Sequence, residues 1–154
     1  MPLNNSNITI GRAVKEDCPR MMELVLELAI FEREPDAVTV TLEHFENSGF
    51  GENPVWWAFV AEVDGVVQGF ALYYIRYSTW KGQKMYLEDI IITEAYRNRG
   101  LGSRLMDALI KEAADKNLHG LTWQVLNWNE PAIKFYERYK ARFDNEWVNV
   151  MLDF

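Results

Sequence analysis

"KMYLEDIIITEAYRNRGLGSRLMDALIK", residues 84–111, decides the fold. Its opening, "KMYLEDIIIT", is apolar and rich in β-branched residues and reads as a strand. Over residues 100–117, Leu101, Leu105, Leu109 and Ala113, flanked by Met106 and Ile110, make a stripe at helical spacing. Arg104, Asp107, Lys111 and Asp115 fall largely outside it. Between the two lies a cationic, glycine-broken turn. A helix that starts near Leu101 leaves its first amides without intrahelical partners, and the positive end of its dipole faces outward. Gly100 and Gly102 remove β-carbons that would hold an anion away from the backbone, while Arg97 and Arg99 add charge-assisted donors. The turn therefore predicts an anion site, with an exposed basic helix start that holds no ligand as the rival reading. It is not a P-loop, because no lysine follows either glycine, and not a dinucleotide fingerprint, because Leu105 stands where a third glycine is needed. What remains is R-x-x-G-x-G between a strand and a helix.

Working outward, "LTWQVLNW" reads as a further strand, so residues 85–128 form a strand–helix–strand unit whose strands should run parallel through a right-handed crossover. "NEPAIKFYERY" opens a final helix, with Asn129 as cap and Pro131 in the first turn, and "FDNEWVNVMLDF" is expected to close as a hairpin-like pair. Upstream, Asp64-Gly65 joins two β-rich runs within "VWWAFVAEVDGVVQGFALYYIRY" and favours a type I′ turn. "NITIGRAV" reads as the first strand. In the helix that follows it, Met21, Leu24, Val25, Leu28 and Phe31 recur at helical spacing, with Asp17 placed to cap. A shorter helix at "TLEHFENS" is expected to stop at Gly49. This order is an α+β layout around one mixed central sheet, mostly antiparallel and flanked by helices.

The bulk properties narrow the function. A chain of 154 residues, 49% of them hydrophobic, fits one domain over residues 1–154. A net charge of -7 argues against nucleic acid or an anionic membrane as partner and favours a small cationic substrate. The single cysteine, Cys18, excludes an internal disulfide and a cysteine-based zinc site, and no cluster of ligands suggests a metal. The opening residues carry no leader pattern and no window is long enough to span a membrane, so the cytoplasm is expected.

The pieces "ELAIFE", "GFGENP", "VAEVDG" with "VQGFALYY", "YSTWKG", "YLEDIII", the arginine-glycine turn and "NWNEPAIKFYER", in this order and spacing, resemble the GNAT acetyltransferase superfamily. They are most similar to its small-amine branch of diamine (spermidine/spermine) and thialysine acetyltransferases. The resemblance implies acetyl-CoA as cosubstrate and a sheet whose parallel pair splays apart. It also implies that backbone groups of Ile90, Ile91 and Ile92 hold the pantetheine arm. The diphosphate would lie on Arg97, Asn98, Arg99, Gly100, Leu101, Gly102 and Ser103, and Asn129, Glu130, Pro131 and Ala132 would contact the cofactor from the other side. Phe31, Glu32, Trp80 and Glu88 would meet the amine. Relatives of this branch are commonly dimers, which implies a homodimer here.

Acetyl transfer to an amine needs a neutral nucleophile, and a lysine-like ammonium has a pKa near 10.4, so losing its proton accounts for roughly 4 to 5 kcal/mol of the barrier at neutral pH. Glu88 and Asp89, two carboxylates inside an apolar strand, are the candidates to take that proton, and strand alternation would send them to opposite faces. The resemblance favours Glu88 as the base; Asp89 stays open between catalysis and structure. It likewise implies that Tyr136 protonates the departing thiolate, with plain core packing as the rival reading. Where the family usually has a glycine four residues after this tyrosine, the chain has Lys140. Ser78, two residues before Trp80, replaces the aspartate of polyamine-specific members and matches the thialysine pattern. The expected activity is N-acetylation of a lysine-like amino acid or short diamine. Polyamine or protein N-acetylation and a non-catalytic coenzyme A-binding module are the alternatives.

Overall fold

Strand β1 (Ile8–Arg12) leads through a 3-10 turn into helices α1 (Cys18–Phe31) and α2 (Leu42–Phe50). Strands β2 (Trp57–Val63), β3 (Val66–Ser78) and β4 (Gly82–Ile92) follow, then helix α3 (Leu101–Asp115), the short strand β5 (Leu121–Thr122) and helix α4 (Glu130–Glu137). This computed structural model describes residues 6–154, so residues 1–5, where the absence of a leader was read, lie outside the described residues. Among the described residues, those up to Trp123 form one compact unit and Gln124–Phe154 a second.

In the first unit the sheet order is β1-β2-β3-β4-β5, antiparallel except for the β4–β5 pair. Asp64 and Gly65 both take positive φ, 51° and 84°, which is the backbone a type I′ turn requires. One sheet face receives α1 and α2. Cys18, Met21, Leu24 and Phe45 pack there with Ala58, Val60, Phe70, Leu72 and Ile91. The other face receives α3 through its stripe of Leu101, Leu105, Met106, Leu109 and Ala113, all buried. Each buried leucine is worth about 1.5–3 kcal/mol relative to exposure, so the stripe fixes where the helix begins. At the far end of α3, Glu112 accepts from Tyr73 Oη at 3.2 Å and pairs with Arg12.

Four elements depart from expectation. Asp17 holds the expected N-cap position of α1 but makes no capping side-chain hydrogen bond; its carboxylate accepts from the Val14 amide at 2.9 Å and closes the preceding turn. Helix α2 runs through Gly49 to Phe50, capped at its start by Thr41, whose hydroxyl accepts from the His44 amide at 3.1 Å. Gly49 lies against the Trp56 indole, so its missing side chain is a packing requirement and not a stop signal; a Cβ there would come within 2.3 Å of the ring. The strand at "LTWQVLNW" pairs only over Met85↔Leu121 and Tyr86↔Thr122. The hairpin at "FDNEWVNVMLDF" does not form; no strand is assigned there, and Trp147, Val148, Val150, Met151, Leu152 and Phe154 stand exposed. A strand exists only where a ladder satisfies its backbone, and apolar alternation alone does not supply the partner.

Candidate active site

The register of β3 against β4 breaks once. Leu72 faces Asp89 and Tyr73 faces Leu87, which leaves Glu88 as an extra residue with nothing opposite it. Such a bulge shifts the phase of side-chain alternation. Leu87 therefore shares the α3 face with Tyr73, whereas Asp89 and Ile91 join Leu72 and Phe70 on the α1 face. Tyr74 and its cross-strand partner Tyr86, with ring centroids 5.0 Å apart, lie on that same face, and the Glu88 carboxylate is close enough to act on the Tyr74 phenol. The expected separation of Glu88 and Asp89 onto opposite faces is thus corrected: the bulge gathers both carboxylates beside the tyrosine pair.

The electrostatics follow from this crowding. Burial, then the charges of Glu88 and Glu32, push the Asp89 carboxyl up to about 7. Burial also raises Glu32, at the C-terminal end of α1. Tyr74 is pushed up to about 12 by burial and by the Glu88 charge, so its phenol is a neutral donor at any working pH. Glu88 itself is exposed to solvent. Three carboxylates thus converge with two phenols on the α1 side of β4, a setting that favours an incoming cation. Cys18 is buried and its thiol is raised to about 11, first by burial and then by Glu46, which removes it as a nucleophile. Among the described residues no group of three or more His, Cys, Asp or Glu side chains is arranged to hold a metal.

Beyond Tyr86 the outer edge of β4 leaves the β5 ladder, so Ile90 and Ile92 pair with Ala71 and Gly69 on the inner side only. Ile91 is buried in the α1 core. After a 3-10 turn at Glu94–Tyr96 the chain reaches Asn98 and Gly100, both left-handed at φ 62° and 87°. Gly100 is the N-cap of α3, and the first helical bond is donated by Arg104 to its carbonyl, so the Leu101 and Gly102 amides precede the ladder. A Cβ on Gly100 would meet nothing within 4 Å, and its left-handed backbone is what excludes other residues there. Open space, uncapped amides and a positive helix end suit a diphosphate. Arg99 lies over the Tyr96 ring at 5.3 Å. The Arg97 side chain turns back: its Nε donates to the Ile92 carbonyl at 3.0 Å and its guanidinium sits 5.5 Å from the Phe31 ring.

Phe31, Glu32, Glu88, Asp89 and the glycine turn before α3 are therefore neighbours in one unit. Trp80 is not among them. It sits 90% exposed at the tip of the β3–β4 hairpin, where Ser78 Oγ accepts from the Trp80 and Lys81 amides at 3.2 Å. Gly82 and Glu88 are separated by roughly 20 Å of extended strand at about 3.3 Å per residue. In the second unit, the Asn129 side chain accepts from the Ala132 amide at 3.3 Å and caps α4, whose first turn holds Glu130, Pro131 and Ala132. Tyr136 is buried in that helix, next to Phe135 at 5.5 Å. Lys140 keeps the left-handed backbone, φ 56°, that a glycine would adopt freely. Sequence reasoning missed Tyr74, Tyr86 and Glu27. The tyrosines were hidden by the bulge. Glu27 opens the quoted "ELAIFE", yet nothing local ties it to a site: its carboxylate, on α1, accepts from Thr93 and Glu94.

Residues 18–140 match the acetyltransferase (GNAT) family. The chain is 36% identical over 143 residues to the thialysine N-epsilon-acetyltransferase of Bos taurus, covering 88% of this chain and 84% of that one. It is 34% identical over 134 residues to the spermidine/spermine N(1)-acetyltransferase-like protein 1 of Homo sapiens, covering 82% of this chain but 19% of that longer protein. An aminoglycoside N-acetyltransferase solved in complex with CoA superposes with a TM-score of 0.77 at 17% identity over 99% of both chains. With the glycine turn opening α3, the bulged β4 and a family match across most of its length, the chain belongs to the GNAT acetyltransferases.

Proposed function

We propose that the protein moves the acetyl group of acetyl-CoA to a primary amine of a small cation, a lysine-like amino acid such as thialysine or a short diamine. The observation that carries this reading is the adjacency, within one unit, of an anion-accepting helix start and a cluster of three carboxylates. Relatives named thialysine N-epsilon-acetyltransferase support the substrate class, as does Ser78 in place of an aspartate. When bound, the cofactor supplies an activated thioester. The amides of Asn98–Gly102 with Arg99 would hold its diphosphate, and the free edge of β4 at Ile90–Ile92 its arm. Glu88, solvent-facing and beside Tyr74, takes the ammonium proton directly or through water, and Asp89 and Glu32 attract the cationic substrate. Tyr136 gives its hydroxyl proton to the leaving sulfur, and Asn129–Ala132 at the head of α4 meet the cofactor; both assignments follow from their family positions.

The family match over residues 18–140 takes in part of each unit, which supports reading them as one acetyltransferase domain. The exposed apolar run from Trp147 to Phe154 supports a homodimer, because a chain seldom leaves so many large apolar side chains in water without a partner. A free, buried cysteine and a net charge of -7 fit a reducing cytoplasm and a partner that is neither nucleic acid nor membrane. The test is thiol release from acetyl-CoA across a panel of amines. Turnover with thialysine, lysine or short diamines supports the proposal. Turnover with spermidine alone, or with peptides alone, replaces the substrate class, and coenzyme A binding without turnover replaces the enzyme by a binding module.

A further inference from the structure

We infer that Glu27 is the positioning residue of the cofactor turn: from helix α1 it holds the β4–α3 connection in its anion-accepting shape before any ligand arrives. The inference rests on the acetyltransferase reading of that turn. A carboxylate is an odd neighbour for an anion site, since its charge opposes the ligand. Glu27 is tolerated because its oxygens are occupied. Thr93 Oγ1 donates to them at 2.9 and 3.3 Å, the Glu94 amide donates at 2.9 Å, and the Arg97 guanidinium lies 3.6 Å away. These donors come from the short connection that leaves β4, so one side chain pins its whole first half. Backbone bonds hold the rest: the Thr93 amide donates to the Gln68 carbonyl on β3, the Tyr96 amide donates to the Thr93 carbonyl, and the Arg97 amide donates to the Glu94 carbonyl.

The clamp ends where the left-handed part begins. Asn98 is left-handed, a conformation that asparagine accepts more readily than other non-glycine residues but still less freely than glycine. With Arg97 fixed at both its amide and its guanidinium, the chain has few other ways to reach Gly100 and start α3. Because both partners of the Glu27–Arg97 pair are about one-third exposed (32% and 36%), the ion pair itself is weak, and the hydrogen bonds carry the effect. Arg97 then serves the diphosphate through the shape of the turn, while Arg99 keeps its charge available. The same clamp ties the turn to the end of α1 that carries Phe31 and Glu32, so the two halves of the site are referred to one helix.

The experiment compares Glu27→Ala and Glu27→Gln with the wild-type full chain. Binding of coenzyme A is measured by calorimetry, kcat/KM with acetyl-CoA and with acetyl-pantetheine, which lacks the diphosphate, and amide hydrogen exchange over residues 93–102 without ligand. In Glu27→Ala, coenzyme A should bind about tenfold more weakly, equivalent to about 1.4 kcal/mol, and acetyl-CoA should lose a similar factor in kcat/KM. Acetyl-pantetheine should stay within about twofold and exchange should quicken across 93–102 but not in the middle of α3. Glu27→Gln, which keeps an acceptor for Thr93 and Glu94, should fall between. Equal losses with both donors, unchanged coenzyme A affinity or unchanged exchange would overturn the inference. If Glu27→Ala does not fold, Glu27→Gln and Thr93→Val carry the same comparison. A wild-type protein that ignores coenzyme A removes the acetyltransferase reading instead, and the positioning role with it.

Discussion

Glu88 owes its place to having no partner across the ladder, and its chemistry to the company this gives it. Glu88→Gln keeps the shape and a polar group beside Tyr74 but cannot take a proton, so kcat/KM should fall by about a hundredfold or more while the melting temperature holds. Tyr136→Phe keeps the packing of α4 and removes the hydroxyl; steady-state kinetics should show kcat reduced by about a hundredfold if it is the acid. Wild-type rates in either variant across pH remove that residue from the mechanism. Asp89 makes a separate prediction. Its pKa rises from an ordinary 3.8 to about 7 on folding, so between those values the native state binds more protons than the unfolded chain. Stability then declines as pH rises through that window. Asp89→Asn cannot ionise, so thermal melts should show it gaining on wild type at pH 8 and little changed at pH 4.5. An equal difference at both pH values would mean that Asp89 titrates normally.

Elements here are bounded by contacts as much as by propensity. Helix α2 passes its glycine because Trp56 fills the space beside it, stacked on Phe45 at 4.6 Å and edge-on to Phe50 at 5.5 Å. Gly49→Ala, which would help an isolated helix, should destabilise the protein by about 1–3 kcal/mol through overpacking, read by denaturant melts. The end of α4 shows the converse. Lys140 retains a left-handed backbone, so Lys140→Gly should relieve strain and stabilise by about 1 kcal/mol, seen as a raised melting temperature. Destabilisation would mean that the Lys140 side chain, exposed as it is, contributes more than its backbone costs.

At the scale of the whole molecule, the exposed apolar run from Trp147 to Phe154 stands out. Val150 is 91% and Leu152 84% exposed, and an exposed apolar run of this size marks an interaction surface. Sedimentation should find a dimer, and a Trp147→Glu/Val150→Glu variant should shift it to monomer at micromolar concentration. A monomeric wild type would remove the proposed homodimer. The family match, over residues 18–140, takes in part of each unit.

Amino-acid order by itself determined the Asp64-Gly65 turn, the α3 stripe, the Asn129 cap and the glycine start of α3, because each is a short-range matter of backbone preference and spacing. It also carried the resemblance, which is why Glu88, Asn98–Ser103 and Glu32 were legible as candidates. Only the tertiary structure decided that Glu88 is a bulge, that Asp89 joins it on one face, that Gly49 serves Trp56 and that Glu27 reaches the connection after β4. Each of these depends on what a second element places opposite the residue, and a pairing partner distant in sequence leaves no periodic trace in the segment that it redirects.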